Sequence, residues 1–127
     1  MSDVESKITI GLPVYNGEKF IEKRLKNILS QSFQNFELII YDNSTDATQK
    51  ICENYMLKDN RIHYFHEKKR SGWIQGWLTV MKQAKFDYFV LASVDDLWSS
   101  NFLEENILEL EQNPSAVASI GILENMS

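Results

Sequence analysis

Cys52 is the chain's only cysteine, so no internal disulfide can form, and at 127 residues none is needed. A chain this long buries roughly two thirds of its unfolded surface. The place of Cys52 among helical residues suggests a small packed side chain rather than a nucleophile. No apolar run approaches the roughly 18 residues of a membrane span. Met1 to Lys7 has neither the basic start nor the apolar stretch of a leader, so a cytoplasmic location is expected. Positive charge is scarce, with 13 basic against 18 acidic residues and a net charge of −5. That balance argues against nonspecific nucleic-acid binding. The exception, Lys68-Lys69-Arg70, reads either as a solvated loop or as a basic segment facing a diphosphate. The two histidines, His63 and His66, are spaced along one strand and make no coherent metal pair. No glycine-rich basic loop follows the first strand, which ends Leu12-Pro13-Val14-Tyr15-Asn16-Gly17. A nucleotidyltransferase would need one.

What the chain does have is alternation of two periodicities. Lys7 to Leu12 alternates apolar and polar residues and is closed by Pro13, predicting a first strand. Ile21, Leu25, Ile28 and Leu29 then follow the stripe of a helix lying on a sheet. Phe36 to Tyr41 is short, apolar and rich in β-branched residues, as a buried parallel strand should be. The polar cluster Asp42 to Asp46 supplies a turn and a cap for a helix reaching about Leu57 and burying Ala47, Ile51 and Tyr55. Arg61 to His66 predicts a third strand with Ile62, Tyr64 and Phe65 inward. Ile74, Trp77, Leu78 and Met81 make the stripe of a third helix, with its aromatic members read as core. A fourth strand is predicted over Phe86 to Ala92, and a fourth helix, with Leu103, Ile107 and Leu110 on one face, ends near Asn113-Pro114. Ala116 to Leu123 could add a last strand. The pattern describes one α/β domain over residues 1–127, with a mostly parallel, Rossmann-like sheet flanked by helices.

Two adjacent carboxylates, Asp95 and Asp96, directly follow the fourth strand. The carboxyl ends of strands are where open α/β sheets bind ligands, so these acids are well placed to hold a metal. Alternatively they cap the next helix, as Ser99 or Ser100 could. A phosphoacceptor receiver domain also carries acids at strand ends, but its pair should follow the first strand. Right-handed crossovers bring Pro13 to Gly17, Asp42 to Asp46, and Asp95 with Asp96 to one edge of the sheet.

Those segments, in their order and separation, resemble the nucleotide-binding half of family 2 glycosyltransferases, which have the GT-A type of fold. The resemblance rests on Pro13-Val14-Tyr15-Asn16, Gln31-Ser32-Phe33, Asn35 to Ile40, the turn Asp42-Asn43-Ser44-Thr45-Asp46-Ala47-Thr48, Asp59 to Ile62, Gly72, Ala84, Tyr88 and Asp95-Asp96. It implies glycosyl transfer from a nucleotide-diphosphate sugar, with a uridine diphosphate sugar expected, assisted by Mn²⁺ or Mg²⁺ and inverting. By the same resemblance Asp95 is the metal ligand, matching the last acid of the family's Asp-x-Asp motif, and Asp96 is its neighbouring catalytic candidate. Pro13 and Tyr15 would form the base pocket, Asp42 and Asn43 would read the base edge or ribose, and Gly72 would allow close backbone approach near the phosphates. Three positions depart from the family pattern. Ser93 stands in place of the motif's first Asp, Asn43 in place of a second Asp in a shortened turn, and Gly76-Trp77-Leu78 in place of Ala-Arg-Asn.

The acceptor, whether glycan, lipid or protein, and the general base belong to a second half that family members carry beyond the region matched here. Glu124 has no context that identifies it as that base. The chain is therefore either a fragment or a minimal enzyme completing its site by self-association, and an apolar edge near Ala116 to Leu123 would favour homo-oligomers. The rival reading, of a different class, is a nucleotide-sugar-binding or assembly module without turnover.

Overall fold

The computed structural model describes residues 7–69, 72–84, 86 and 88–112. The last strand expected at Ala116 to Leu123, and Arg70 of the basic run, lie outside the described residues. Four strands, β1 (Ile8–Val14), β2 (Phe36–Asp42), β3 (Ile62–His66) and β4 (Tyr88–Leu91), alternate with α1 (Ile21–Leu29), α2 (Thr48–Lys58), α3 (Trp73–Lys82) and α4 (Phe102–Gln112). All strand pairs are parallel, in the order β3-β2-β1-β4. This is the Rossmann-like α/β arrangement that the alternating pattern predicts.

Strand alternation divides the core between the two faces of the sheet. Ile8, Ile10 and Leu12 of β1, with Leu38 and Ile40 of β2, pack against Ile21, Leu25 and Ile28 of α1, Cys52 of α2, and Phe102, Leu103 and Ile107 of α4. On the other face Ile39 and Tyr41 meet Val80 of α3, flanked by Phe89 and Leu91.

β1 does not stop at Pro13, as the sequence suggests, but runs through it to Val14. Successive residues of a parallel strand send their backbone groups alternately to the two neighbours. The Gly11 carbonyl accepts the Ala92 N–H at 2.8 Å, so Gly11 faces β4. Pro13, two residues on, shares that side and has no N–H to offer there. Pairing with β4 accordingly ends at Gly11↔Leu91, while pairing with β2 continues to Val14↔Asp42.

Three core expectations are corrected. The stripe Ile74, Trp77, Leu78 and Met81 is not core, being 42–58% exposed. α3 instead presents Gly76 and Val80 to the sheet, because the approach is too close for larger groups. A Cβ on Gly11 would stand 2.7 Å from Val80 Cγ2, and one on Gly76 would stand 3.0 Å from Pro13 Cβ. Ala47 is exposed because α2 begins one residue later, at Thr48, whose N–H is taken by Asp46 Oδ1 at 2.9 Å. Thr48 and Cys52 are the buried residues of α2, with Ile51 and Tyr55 half-buried. Phe65 is exposed, since it points to the face of edge strand β3 opposite Ile62.

Replacing Gly11 with Ala should force Val80 and Phe89 outward, a form of overpacking that costs about 1–3 kcal/mol. The expected result is a urea midpoint lowered by roughly 1 M with an unchanged slope; an unchanged midpoint would show that α3 yields freely. Burial, followed by the charges of Asp42 and Glu53, pushes the Cys52 thiol up to about 12. In the native chain Cys52 should therefore resist a thiol reagent at pH 8 and react only once urea unfolds the protein.

Candidate functional site

Where β1 and β4 part, their continuing segments become walls of a cleft of about 240 Å³. That is slightly below the roughly 300–1,000 Å³ of small-molecule pockets, so it holds part of a ligand the size of a sugar nucleotide. Pro13 to Tyr15 form one wall, Ala92 to Asp95 the opposite one, Tyr41 and Asn43 the end of β2, and Gly72, Trp73, Gly76 and Trp77 the α3 side. The position is the topological switch point: the chain leaves β1 for β2 on one side and returns through β4 on the other.

The β1 and β2 walls are joined by side-chain bonds. Asn16 adopts a left-handed conformation, φ 50°, and its N–H donates to Ser44 Oγ at 2.7 Å, while its Oδ1 accepts the Thr45 N–H at 2.8 Å. Gly17 N–H donates to Thr48 Oγ1 at 3.0 Å, and Glu18 N–H to Asp46 Oδ2 at 3.3 Å. The hydrogen bonds that Asp46 accepts outweigh its desolvation and hold its carboxyl below the usual range. Much of the Ser-Thr-Asp turn is thus occupied in joining two loops and starting α2.

Five of the seven residues singled out from the sequence line the cleft: Pro13, Tyr15, Asn43, Gly72 and Asp95. Asn43 is buried; its Nδ2 donates to the carbonyls of Glu67 and Lys69 at 3.1 and 3.2 Å, which fixes the approach to α3. Gly72 has φ 84° and ψ 163°, a backbone region open essentially to glycine alone. It lets the chain turn into α3 at the cleft wall.

The other two lie away from the lining. Asp42 is fully buried; its Oδ1 accepts the Ser44 N–H at 2.8 Å and its Oδ2 the Tyr64 hydroxyl. Burial and then that bond raise the Tyr64 pKa, so the hydroxyl keeps its proton and remains the donor. Asp96 is half-buried and accepts Ser93 Oγ at 3.0 Å, whereas Asp95 is exposed on the cleft side. Ser93, which departs from the family's acid, thus anchors its acidic neighbour.

Sequence reasoning missed two features of the site. Trp73 was not singled out and Trp77 was expected in the core; both line the cleft and meet edge to face at 5.0 Å between ring centroids. Arg24 was also missed. It is fully buried beneath the acidic wall, where its Nε donates to the Ser93 carbonyl at 2.8 Å. Burial pulls its pKa down to about 10, opposed by the charges of Asp96 and Asp95, so it is a cation at neutral pH. Its signal in the sequence is a charged residue on the apolar face formed by Ile21, Leu25 and Ile28.

Lys68 and Lys69 are exposed. His66 Nε2 lies 3.0 Å from the Ser44 carbonyl and His63 Nε2 lies 3.3 Å from Glu37, so both histidines have structural neighbours. Among the described residues no three His, Cys, Asp or Glu side chains cluster to hold a metal. Mg²⁺ and ions like it do not require such a cage, being held by one or two carboxylates together with substrate phosphates and water. Asp95 on an open wall fits that donor set. No helix among the described residues is long and apolar enough to cross a membrane.

The sequence model of glycosyl transferase family 2 matches residues 9–125. Glycosyltransferase GlyG of Streptococcus pneumoniae serotype 4 is 30% identical over 111 residues, 87% of this chain and 37% of GlyG. Bacillus subtilis TuaG, described as a putative teichuronic acid biosynthesis glycosyltransferase, is 30% identical over 108 residues, 84% of this chain and 43% of TuaG. S. aureus TarS in complex with UDP-GlcNAc superimposes with a TM-score of 0.77 at 27% identity, over 85% of this chain and 32% of that one. A Pyrobaculum calidifontis mannosyltransferase in complex with GDP-Man and Mn²⁺ shares the fold, with a TM-score of 0.77 at 24% identity, over 85% of this chain and 33% of its own. The chain thus spans less than half the length of these relatives. Its cleft lies at the switch point where open α/β sheets bind ligands, its motifs follow in the family's order, and the family model covers nearly all of it: the chain belongs to glycosyl transferase family 2.

Proposed function

We propose that residues 1–127 form the donor-binding unit of a glycosyltransferase that takes a nucleotide-diphosphate sugar, with uridine diphosphate as the nucleotide. The observation that carries this reading is the cleft itself, which gathers Pro13, Tyr15, Asn43, Gly72 and Asp95 from four separate segments at the switch point of the sheet. TarS, with UDP-GlcNAc in its structure, favours a uridine donor.

In this reading Tyr15 and Pro13 bound the base, Tyr15 offering a ring face. Asn43 sits at the cleft end of β2, and Asp42 supports that end from below through Ser44 and Tyr64. Asp95 would hold a divalent cation, Mn²⁺ or Mg²⁺, and Asp96 steadies the acidic loop through Ser93. When bound, the cation stabilises negative charge developing on the departing diphosphate. Transfer is inverting: an acceptor hydroxyl, deprotonated by a base outside this cleft, attacks the anomeric carbon opposite the leaving diphosphate.

Calorimetric titration with uridine diphosphate, with and without Mn²⁺, tests the reading. Binding should require the metal, and Asp95→Ala should lower Mn²⁺-dependent affinity at least about tenfold, or 1.4 kcal/mol, while preserving the unfolding midpoint. Equal affinity with and without metal would remove the cation from the proposal. Unchanged metal dependence in Asp95→Ala would remove Asp95 from the cation's ligands.

A further inference from the structure

Beneath the acidic wall, α1 and the turn after it direct a polar row, Arg24, Asn27 and Gln31, toward a single loop. Arg24 Nε donates to the Ser93 carbonyl at 2.8 Å. The Asn27 amide pairs with Trp98 on both sides: Nδ2 donates to the Trp98 carbonyl at 2.8 Å, and Oδ1 accepts the Trp98 N–H at 2.9 Å. Gln31 Nε2 donates to the Ser99 carbonyl at 2.8 Å, and its Oε1 accepts the Leu103 N–H at 3.1 Å. Within the row, Arg24 Nη1 donates to Asn27 Oδ1 at 2.7 Å, and the guanidinium lies 4.3 Å from the Trp98 ring centroid. The loop is therefore pinned at Ser93 and again at Trp98 and Ser99, with Asp95 in the short span between.

Stability alone gives little reason for this arrangement. Arg24 is 0% exposed, and its Nη2 has no hydrogen-bond partner among the described residues. A buried charge with an idle donor is a poor source of folding energy, and apolar replacements of such groups are often neutral or stabilising. What the row does supply is a fixed path for the backbone on either side of Asp95. A carboxylate held in place before ligand arrives avoids the ordering entropy that a mobile one would lose on binding.

We propose that Arg24 and Asn27 are positioning residues that set where Asp95 stands in the cleft, so that α1, which does not line the cleft, governs affinity for the cation and diphosphate together. This rests on the donor-cleft reading above.

The test measures uridine diphosphate titration with Mn²⁺, urea unfolding, and hydrogen exchange at the amides of Val94 to Leu97. It compares the unmodified chain with Arg24→Met, Arg24→Lys and Asn27→Ala. Arg24→Met should keep the unfolding midpoint yet bind about tenfold more weakly, with faster exchange confined to the loop. Arg24→Lys retains the charge but lacks the fork that reaches Ser93 and Asn27 together, so it should also weaken binding. Asn27→Ala should weaken binding without any change in charge. Affinity that is unchanged or tighter in Arg24→Met would overturn the proposal, since loss of a mere counter-charge would favour the cation. If Asn27→Ala fails to fold, the two Arg24 variants decide. If the unmodified chain binds no nucleoside diphosphate, the donor reading falls and exchange alone judges the positioning role: accelerated loop exchange in Arg24→Met supports it, and unchanged exchange overturns it.

Discussion

The parting of β1 from β4 is the constraint from which the cleft follows. Parallel strands must keep pairing or separate, and here the ladder closes at Gly11↔Leu91 while its counterpart with β2 runs three residues further. Pro13 makes the separation one that the backbone cannot easily undo, because the side it turns toward β4 has no donor. From that point Val14 and Tyr15 follow β2 and the residues after Ala92 follow their own course. The gap between them lies at the carboxyl edge of the sheet, next to the adjacent carboxylates.

Each wall of the gap is held by a different interaction. The β1 and β2 wall rests on a full parallel ladder, reinforced by the bonds of Asn16 and Gly17 to Ser44, Thr45 and Thr48. Buried Asp42 supports the end of β2, with both carboxylate oxygens engaged. The α3 wall depends on close packing, where Gly11 and Gly76 remove the side chains that would lift the helix from the sheet. That same approach turns the bulky residues of α3 outward, which places Trp73 and Trp77 beside the cleft rather than beneath it.

Much of this architecture was legible in the sequence. Apolar alternation and helical stripes located every strand and helix among the described residues, since those patterns record which face is buried. The acidic pair after the fourth strand and the Pro-Val-Tyr-Asn segment at the end of the first marked two walls of the cleft. The face of α3 was not legible, because a stripe of Ile, Trp, Leu and Met at helical spacing looks the same whether it faces core or solvent. The deciding residue, Gly11, lies on another element some sixty residues away and acts by having no side chain. The accessibility of Asp42 was equally hidden. One aspartate in a polar turn resembles another, and only the fold brings the Tyr64 hydroxyl to it.

The acidic wall differs from both others in having no regular backbone support among the described residues. Past Ala92 no strand among the described residues pairs with Ser93 to Ser99, and the loop is attached mainly through side chains reaching up from α1 and its following turn. Backbone ladders survive most substitutions, whereas an attachment made by Arg24, Asn27 and Gln31 depends on three particular side chains. Arg24 and Gln31 occupy buried positions that apolar residues would fill at less desolvation penalty, and the arrangement leaves Arg24 Nη2 without a hydrogen-bond partner among the described residues. The site is thus built with its sturdier walls around the segments assigned to the nucleotide and its most conditional wall around Asp95. A binding site can adjust its affinity for a charged ligand most readily at such a wall, where one side chain alters the loop without disturbing the sheet.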